Sequence, residues 1–199
     1  MNASTVAPTT ELSPAAAWSR RVRRIGGLTQ LAFSAFWLVR GGLSVGGATG
    51  GVIAGVSALG VIMVLSYAIR VTSGGAPRPS GLEAARIERS VTVATVIELV
   101  ASLVLPVLVI AAGHSDWVLP SIAITIGPLL LWLDHLVDIP RYRPAGWALT
   151  IVPILLIATM SGTALAATTG IGAGLLLLVV ATLGFHDLSG ERAPRAGRA

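Results

Sequence analysis

Apolar stretches about as long as a bilayer is thick alternate along this chain with short turns that carry glycine, proline or arginine. Crossing about 30 Å of hydrocarbon at 1.5 Å of helix rise per residue takes about 20 mostly apolar residues. The pattern predicts six transmembrane helices, over 27–47, 51–69, 91–112, 118–138, 146–167 and 170–186. Arg40 and a glycine-rich tail interrupt the first. Ending it at Arg40 would leave too few apolar residues to cross, so it is carried on to residue 47. The expected fold class is all-α: a polytopic membrane helical bundle with both termini cytoplasmic.

Composition supports this reading. The chain is 54% hydrophobic and only 12% charged, against about 25% charged in a typical soluble domain. Too few polar groups exist to cover a water-facing surface, and the mean hydropathy is +0.82. Cysteine is absent, which rules out disulfides, thiolate metal sites and a cysteine nucleophile. All 14 basic residues are arginine. With the alanine and glycine richness, that usage suggests a high-GC bacterial coding bias and hence a bacterial inner membrane.

The arginines also test the threading. Arg20, Arg21, Arg23 and Arg24 precede the first span, and Arg70, Arg78, Arg86 and Arg89 lie between the second and third. Arg141 and Arg143 separate the fourth and fifth, and Arg192, Arg195 and Arg198 follow the sixth. Six spans place all of these on one side, which the positive-inside rule makes cytoplasmic. The domain reading is a disordered basic tail over 1–25, a transmembrane domain over 26–187 and a basic tail over 188–199. The first arginines followed by an apolar run resemble a signal peptide, but Arg40 and five further spans favour an uncleaved helix. A pI of 11.2 needs no nucleic acid. Anionic headgroups attract each surface arginine by about 1 kcal/mol.

The longest loop spans 71–90, and its second half, GLEAARIERS, reads as a short surface helix feeding the third span. The outer turns are expected at 46–51, 113–117 and 166–170, giving three helical hairpins. The first and last of these turns share Ala-Thr-(Thr)-Gly, which reads either as an internal repeat or as a chance match of small residues. Gly42, Gly46 and Gly50, and Gly47, Gly51 and Gly55, recur at four-residue spacing, as do Gly170 and Gly174. Such ridges let helices approach closely in lipid. Pro106, Pro128 and Pro153 should kink their helices. Trp117 and Trp147 are expected at the interfaces, Trp37 and Trp132 in the core.

Four ionisable residues demand an explanation inside the spans or near their ends: Arg40, Glu98, Asp134 and His135. A charge at the bilayer centre costs about 2.5–3.5 kcal/mol on insertion scales, so such groups find partners. Polar stripes run along helix 1 (Gln30, Ser34, Arg40, Ser44), helix 3 (Thr95, Glu98, Ser102) and helix 4 (Ser121, Thr125, Trp132, His135), and are expected to converge. Depth suggests an Arg40–Glu98 ion pair, either purely structural or handling a ligand or proton. Pro140 ends helix 4 near Asp138, and a carboxylate at a helix C-terminus needs cations. Asp138, Arg141 and Arg143 therefore read as an interfacial anchor.

Asp134, His135, Asp138, His186 and Asp187 could gather at the inner end of helices 4 and 6, but no spacing diagnostic of metal is present, so neither a metal nor a cofactor is expected. Ser161-Gly162 lacks the preceding glycine of an intramembrane serine protease, and no phosphate loop or catalytic carboxylate pair occurs. An enzyme is not expected.

LDHL at the end of helix 4, a short Pro/Arg/Tyr loop and GWALT opening helix 5 resemble small bacterial integral membrane proteins of unknown function, over residues 121–186. In that group helix 4 closes with a histidine before a short loop. Here Asp138 follows soon after, and the loop is shorter. The resemblance implies a membrane bundle and no particular activity. Two functions compete: a small solute or ion transporter or channel, conceivably proton-linked, and a non-catalytic accessory subunit. Beyond the bilayer, a homo-oligomer or a membrane partner is left open.

Overall fold

The computed structural model describes residues 14–72 and 81–190, and these are helical throughout apart from short turns. The helices are α1 (Pro14–Val45), α2 (Gly47–Thr72), α3 (Leu82–Ala111), α4 (Val118–Val137), α5 (Tyr142–Thr159) and α6 (Gly162–Gly190), with one 3-10 turn at Ser115–Trp117. Lipid offers no partner to a backbone amide, so an apolar chain in hydrocarbon must satisfy its own hydrogen bonds within each helix. The last five helices are long and apolar enough to cross a membrane. α1 is more polar. It packs against α6, α2, α4 and α3, and that packing hides Gln30 and Ser34.

Several boundaries differ from the expected ones. α1 starts at Pro14 and runs through the arginine cluster, and residues 1–13 of the expected tail lie outside the described part. GLEAARIERS is the first part of α3 itself. The largest correction concerns the last turn. Residues 166–170 lie inside α6, and the chain turns instead at Met160–Ser161, where Met160 is extended and Gly162 has φ 61°. Alanine and threonine between leucines simply continue a helix in lipid, so the shared Ala-Thr-(Thr)-Gly is no repeat of turns. At the first turn a break of one residue suffices. Gly46 and Gly47, at φ 77° and 57°, adopt the left-handed geometry that glycine takes without a Cβ penalty.

α1 and α6 form the central pair, with the most extensive contact of any two helices. α2 packs mainly on α1 and touches α6, α4 lies against both central helices, α5 packs on α4, and α3 packs mainly on α4. α5 and α6 are consecutive but touch sparingly, so they are not the hairpin that turn spacing implied. Half of the apolar α6 window is buried within the chain, whereas none of the α3 window is.

Hydrocarbon gives helices no hydrophobic reason to associate, so close backbone packing must do it. Each of the three best-packed pairs crosses at glycine. A Cβ on Gly41 would lie 2.6 Å from the Ile171 backbone nitrogen, and one on Gly170 2.6 Å from Gly41 Cα. A Cβ on Gly50 would lie 2.6 Å from the Gly42 carbonyl oxygen, joining α1 to α2. A Cβ on Gly127 or Gly146 would lie 2.6 or 2.8 Å from the other glycine's carbonyl oxygen, joining α4 to α5. Gly42, Gly50, Gly170 and Gly174 thus do pack, whereas Gly46, Gly47, Gly51 and Gly55 meet open space.

Substituting Gly41→Leu should force α1 and α6 apart, destabilising the bundle by about 1–3 kcal/mol as overpacked interiors do. Gly55→Leu should leave the melting temperature in detergent within error of the parent. Equal melting temperatures for the two variants would refute the crossing.

Candidate functional site

Glu98 sits midway along α3, with Ser102 one turn further on, so the two side chains share a face. The Ser102 hydroxyl donates to Glu98 Oε1 at 3.0 Å. Across the α3–α4 seam, Ser102 Oγ and Thr125 Oγ1 are 2.6 Å apart. Thr125 in turn donates to the Ile122 carbonyl at 2.8 Å. Three oxygen–oxygen contacts therefore form one chain from the carboxyl to the α4 backbone. Serine and threonine supply one hydroxyl hydrogen each. With Glu98 ionised, two hydrogens serve three contacts. One more hydrogen, on the carboxyl, lets every contact have its own if the Glu98–Ser102 bond reverses, running then from Glu98 to Ser102, Thr125 and Ile122 in order. The network has a natural seat for a proton.

Glu98 also divides two grooves. One, of about 660 Å³, lies between α3 and α4 and is lined by Val93, Ile97, Thr125, Leu129 and Trp132 among others, with Arg89 at the end nearest the start of α3. The other, of about 460 Å³, lies between α1 and α3 over an α4 floor, lined by Thr29, Gln30, Phe33, Thr92 and Thr95, with Arg21 and Glu88 at the same end. Both volumes fall within the range of small-molecule sites. Glu98 lines both.

The other expected members of the polar centre lie elsewhere. Arg40 is exposed and makes no ion pair with Glu98, whose carboxylate is held by Ser102 instead. Phe33 lines the same groove as Glu98, and Arg40 stands about two turns, or about 10 Å, further along α1. The α1 polar stripe turned the other way: Ser34 donates to the Gly174 carbonyl of α6 at 2.8 Å, fully buried. The α3 and α4 stripes meet through Ser102 and Thr125, and of the α1 stripe Gln30 lines the groove beside Thr95 and Glu98. Trp132, expected in the core, is 48% exposed on the groove wall. His135 is exposed and Asp134 half-buried, so neither joins Glu98. Trp37 is fully buried, as expected.

At the end of the bundle where α4 stops, the anchor is built from different partners. Asp138 ends α4 in left-handed geometry at φ 50°, its N–H donating to the Asp134 carbonyl at 2.9 Å. Arg141, expected to balance Asp138, pairs with Asp187 of α6 instead. Arg23 of α1 approaches the same carboxylate at 3.9 Å. Burial, followed by the nearby Arg23 charge, holds the Arg141 guanidinium below its ordinary pKa. Arg143 is exposed. Beside this cluster the buried Tyr142 phenol is hydrogen-bonded by Gln30, tying α5 to α1.

Asp116 carries the corresponding link at the opposite end of the bundle. Its carboxylate accepts the Gly162 N–H at 2.9 Å, placing a negative charge at the start of α6 where the helix dipole favours it. Sequence reasoning passed over Asp116 as a cap for α6 and Asp187 as an ion-pair partner, because their contacts lie 46 residues away in one case and on helices far apart in the chain in the other. Among the described residues no three His, Asp or Glu side chains gather as a metal-ligand set.

Asp187→Asn should lower the unfolding midpoint in detergent by the equivalent of about 1 kcal/mol, since the pair is partly exposed and therefore screened. Arg143→Gln should leave that midpoint unchanged; equal shifts for the two variants would contradict the pairing. No family model matches the chain, and neither a curated protein nor a solved structure does.

Proposed function

We propose that this chain is a small proton-linked solute transporter of a bacterial inner membrane, with Glu98 as its working carboxylate. α1 is the sixth span in this reading, its polar residues tolerated because neighbouring helices cover them, and both termini are cytoplasmic. One observation carries the functional reading. The hydroxyl chain from Glu98 through Ser102 and Thr125 has room for one more hydrogen, and the carboxyl holding it lines two grooves. A purely structural acid would be sealed against a cation. Acids at membrane depth mark proton and ion paths more often than not.

The alternative is a non-catalytic accessory subunit, favoured by α3. With no buried residue in its apolar window, α3 offers nearly its whole outer surface to lipid or to a protein partner. The resemblance to small bacterial membrane proteins fits either reading.

The cysteine-free chain makes labelling clean. A single cysteine replacing Glu98 should react with a membrane-impermeant maleimide from at least one side of sealed vesicles. Protection from both sides would sink the transporter and leave the accessory subunit. In the same vesicles Ser115→Cys should react only from outside and Leu82→Cys only from the cytoplasmic side. Any other pattern overturns the six-span threading.

A further inference from the structure

Resting on that transporter reading, we infer that the solute taken at Glu98 is a lipophilic organic cation, which reaches the site sideways from the bilayer and exchanges with the proton there. Charge is the first argument. Glu98 is held by hydroxyls alone, so its ionised form needs a cation from outside the network. The other ionisable groups on the two grooves are Arg89 at the end of one, and Arg21, Glu88 and Tyr142 on the other. Arg89 and Glu88 stand nine and ten residues before Glu98 on α3, about 14–15 Å away by helix rise. None of them is a close counter-ion.

The walls then select the kind of cation. Apolar side chains dominate both grooves, and each carries an exposed aromatic residue, Trp132 on one side of Glu98 and Phe33 on the other. Such rings attract diffuse organic cations. A bare metal ion would find one carboxylate among hydroxyls already engaged with backbone or with one another, whereas a calcium-like ion wants about six oxygen ligands. An ion stripped of water there would lose far more than it gained. A cation whose charge is spread under aryl or alkyl groups gives up little hydration.

Access follows from packing. α3 touches the bundle mainly along α4, and none of its apolar window is buried, so both grooves open towards hydrocarbon. Arg89 at the end of the first groove repels a cation arriving from that side. A hydrocarbon-soluble ligand has the lateral route. At Glu98 proton and ligand compete for one carboxylate: the carboxyl hydrogen leaves as a proton when the organic cation takes its place, so positive charge on the site is conserved.

Tetraphenylphosphonium binding to the full chain in lipid nanodiscs, followed by tryptophan fluorescence and by equilibrium dialysis, tests this. Wild type should bind it, Glu98→Asp should bind within a few fold, and Glu98→Gln should bind at least ten times more weakly while eluting as the same monodisperse species. Trp132→Ala should weaken binding about fivefold, the scale of one cation–π contact. Tetraphenylborate, of like size and opposite charge, should not bind. Equal binding by wild type and Glu98→Gln, or equal binding of the two tetraphenyl ions, would overturn the proposal. No binding by wild type, alongside a water-reactive cysteine at position 98, would refute the organic-cation assignment and spare the transporter. Protection of that cysteine would refute the transporter itself.

Discussion

Everything in this bundle depends on how closely two helix backbones can approach in a solvent that does not push them together. Leucine against lipid is no worse than leucine against leucine, so side-chain bulk alone joins nothing. Gly41 against Gly170, Gly42 against Gly50 and Gly127 against Gly146 bring main chains near enough for dispersion and weak polar contacts to add up. These crossings join α6 to α1, α1 to α2 and α4 to α5. α3 has no such crossing among the described glycines, and it is the helix left at the edge.

Polar contacts then set register where glycine sets distance. Ser34 to the Gly174 carbonyl aligns α1 with α6, and Ser102 with Thr125 aligns α3 with α4. Tyr67 donates to Ser189 at 3.1 Å, aligning α2 with α6. Charged contacts stand at the two ends, through Asp187 with Arg141 and Arg23 and through Asp116 with the Gly162 amide, whereas Glu98 at mid-height is held by the Ser102 hydroxyl. That distribution is what a low-dielectric centre favours. Neutral hydroxyls can be satisfied in hydrocarbon at little loss, whereas ion pairs are safer where water still reaches them.

Much of this was legible in the residue pattern, and the failures share one cause. Helical class, the apolar α2, α3 and α4, the end of α4 near Asp138 and the burial of Trp37 follow from periodicity and local stereochemistry. Which face of a helix meets which neighbour does not, since an apolar helix in lipid has no wet side to betray its orientation. Gln30 and Ser34 therefore turned towards α6 and α5, leaving Arg40 outside, and Trp132 with His135 turned outward. The turn at Met160–Ser161 escaped notice because Ala-Ala-Thr-Thr-Gly, a few residues on, is as small and polar as its Ser-Gly pair and stands where span length placed the turn. Glu98 was recognisable by its depth, but Ser102 and Thr125 became its network only once α3 was set against α4.

The seam between α3 and α4 has a mechanical corollary. The two hollows flanking Glu98 share α3 as a wall, and α3 is tied to its neighbour at mid-height by a pair of hydroxyls rather than by interlocked backbone. Near its start the same helix sinks Ala84 and Ile87 into the core beside α4, so the hydroxyl pair is the polar tie between a packed end and a stretch that faces lipid.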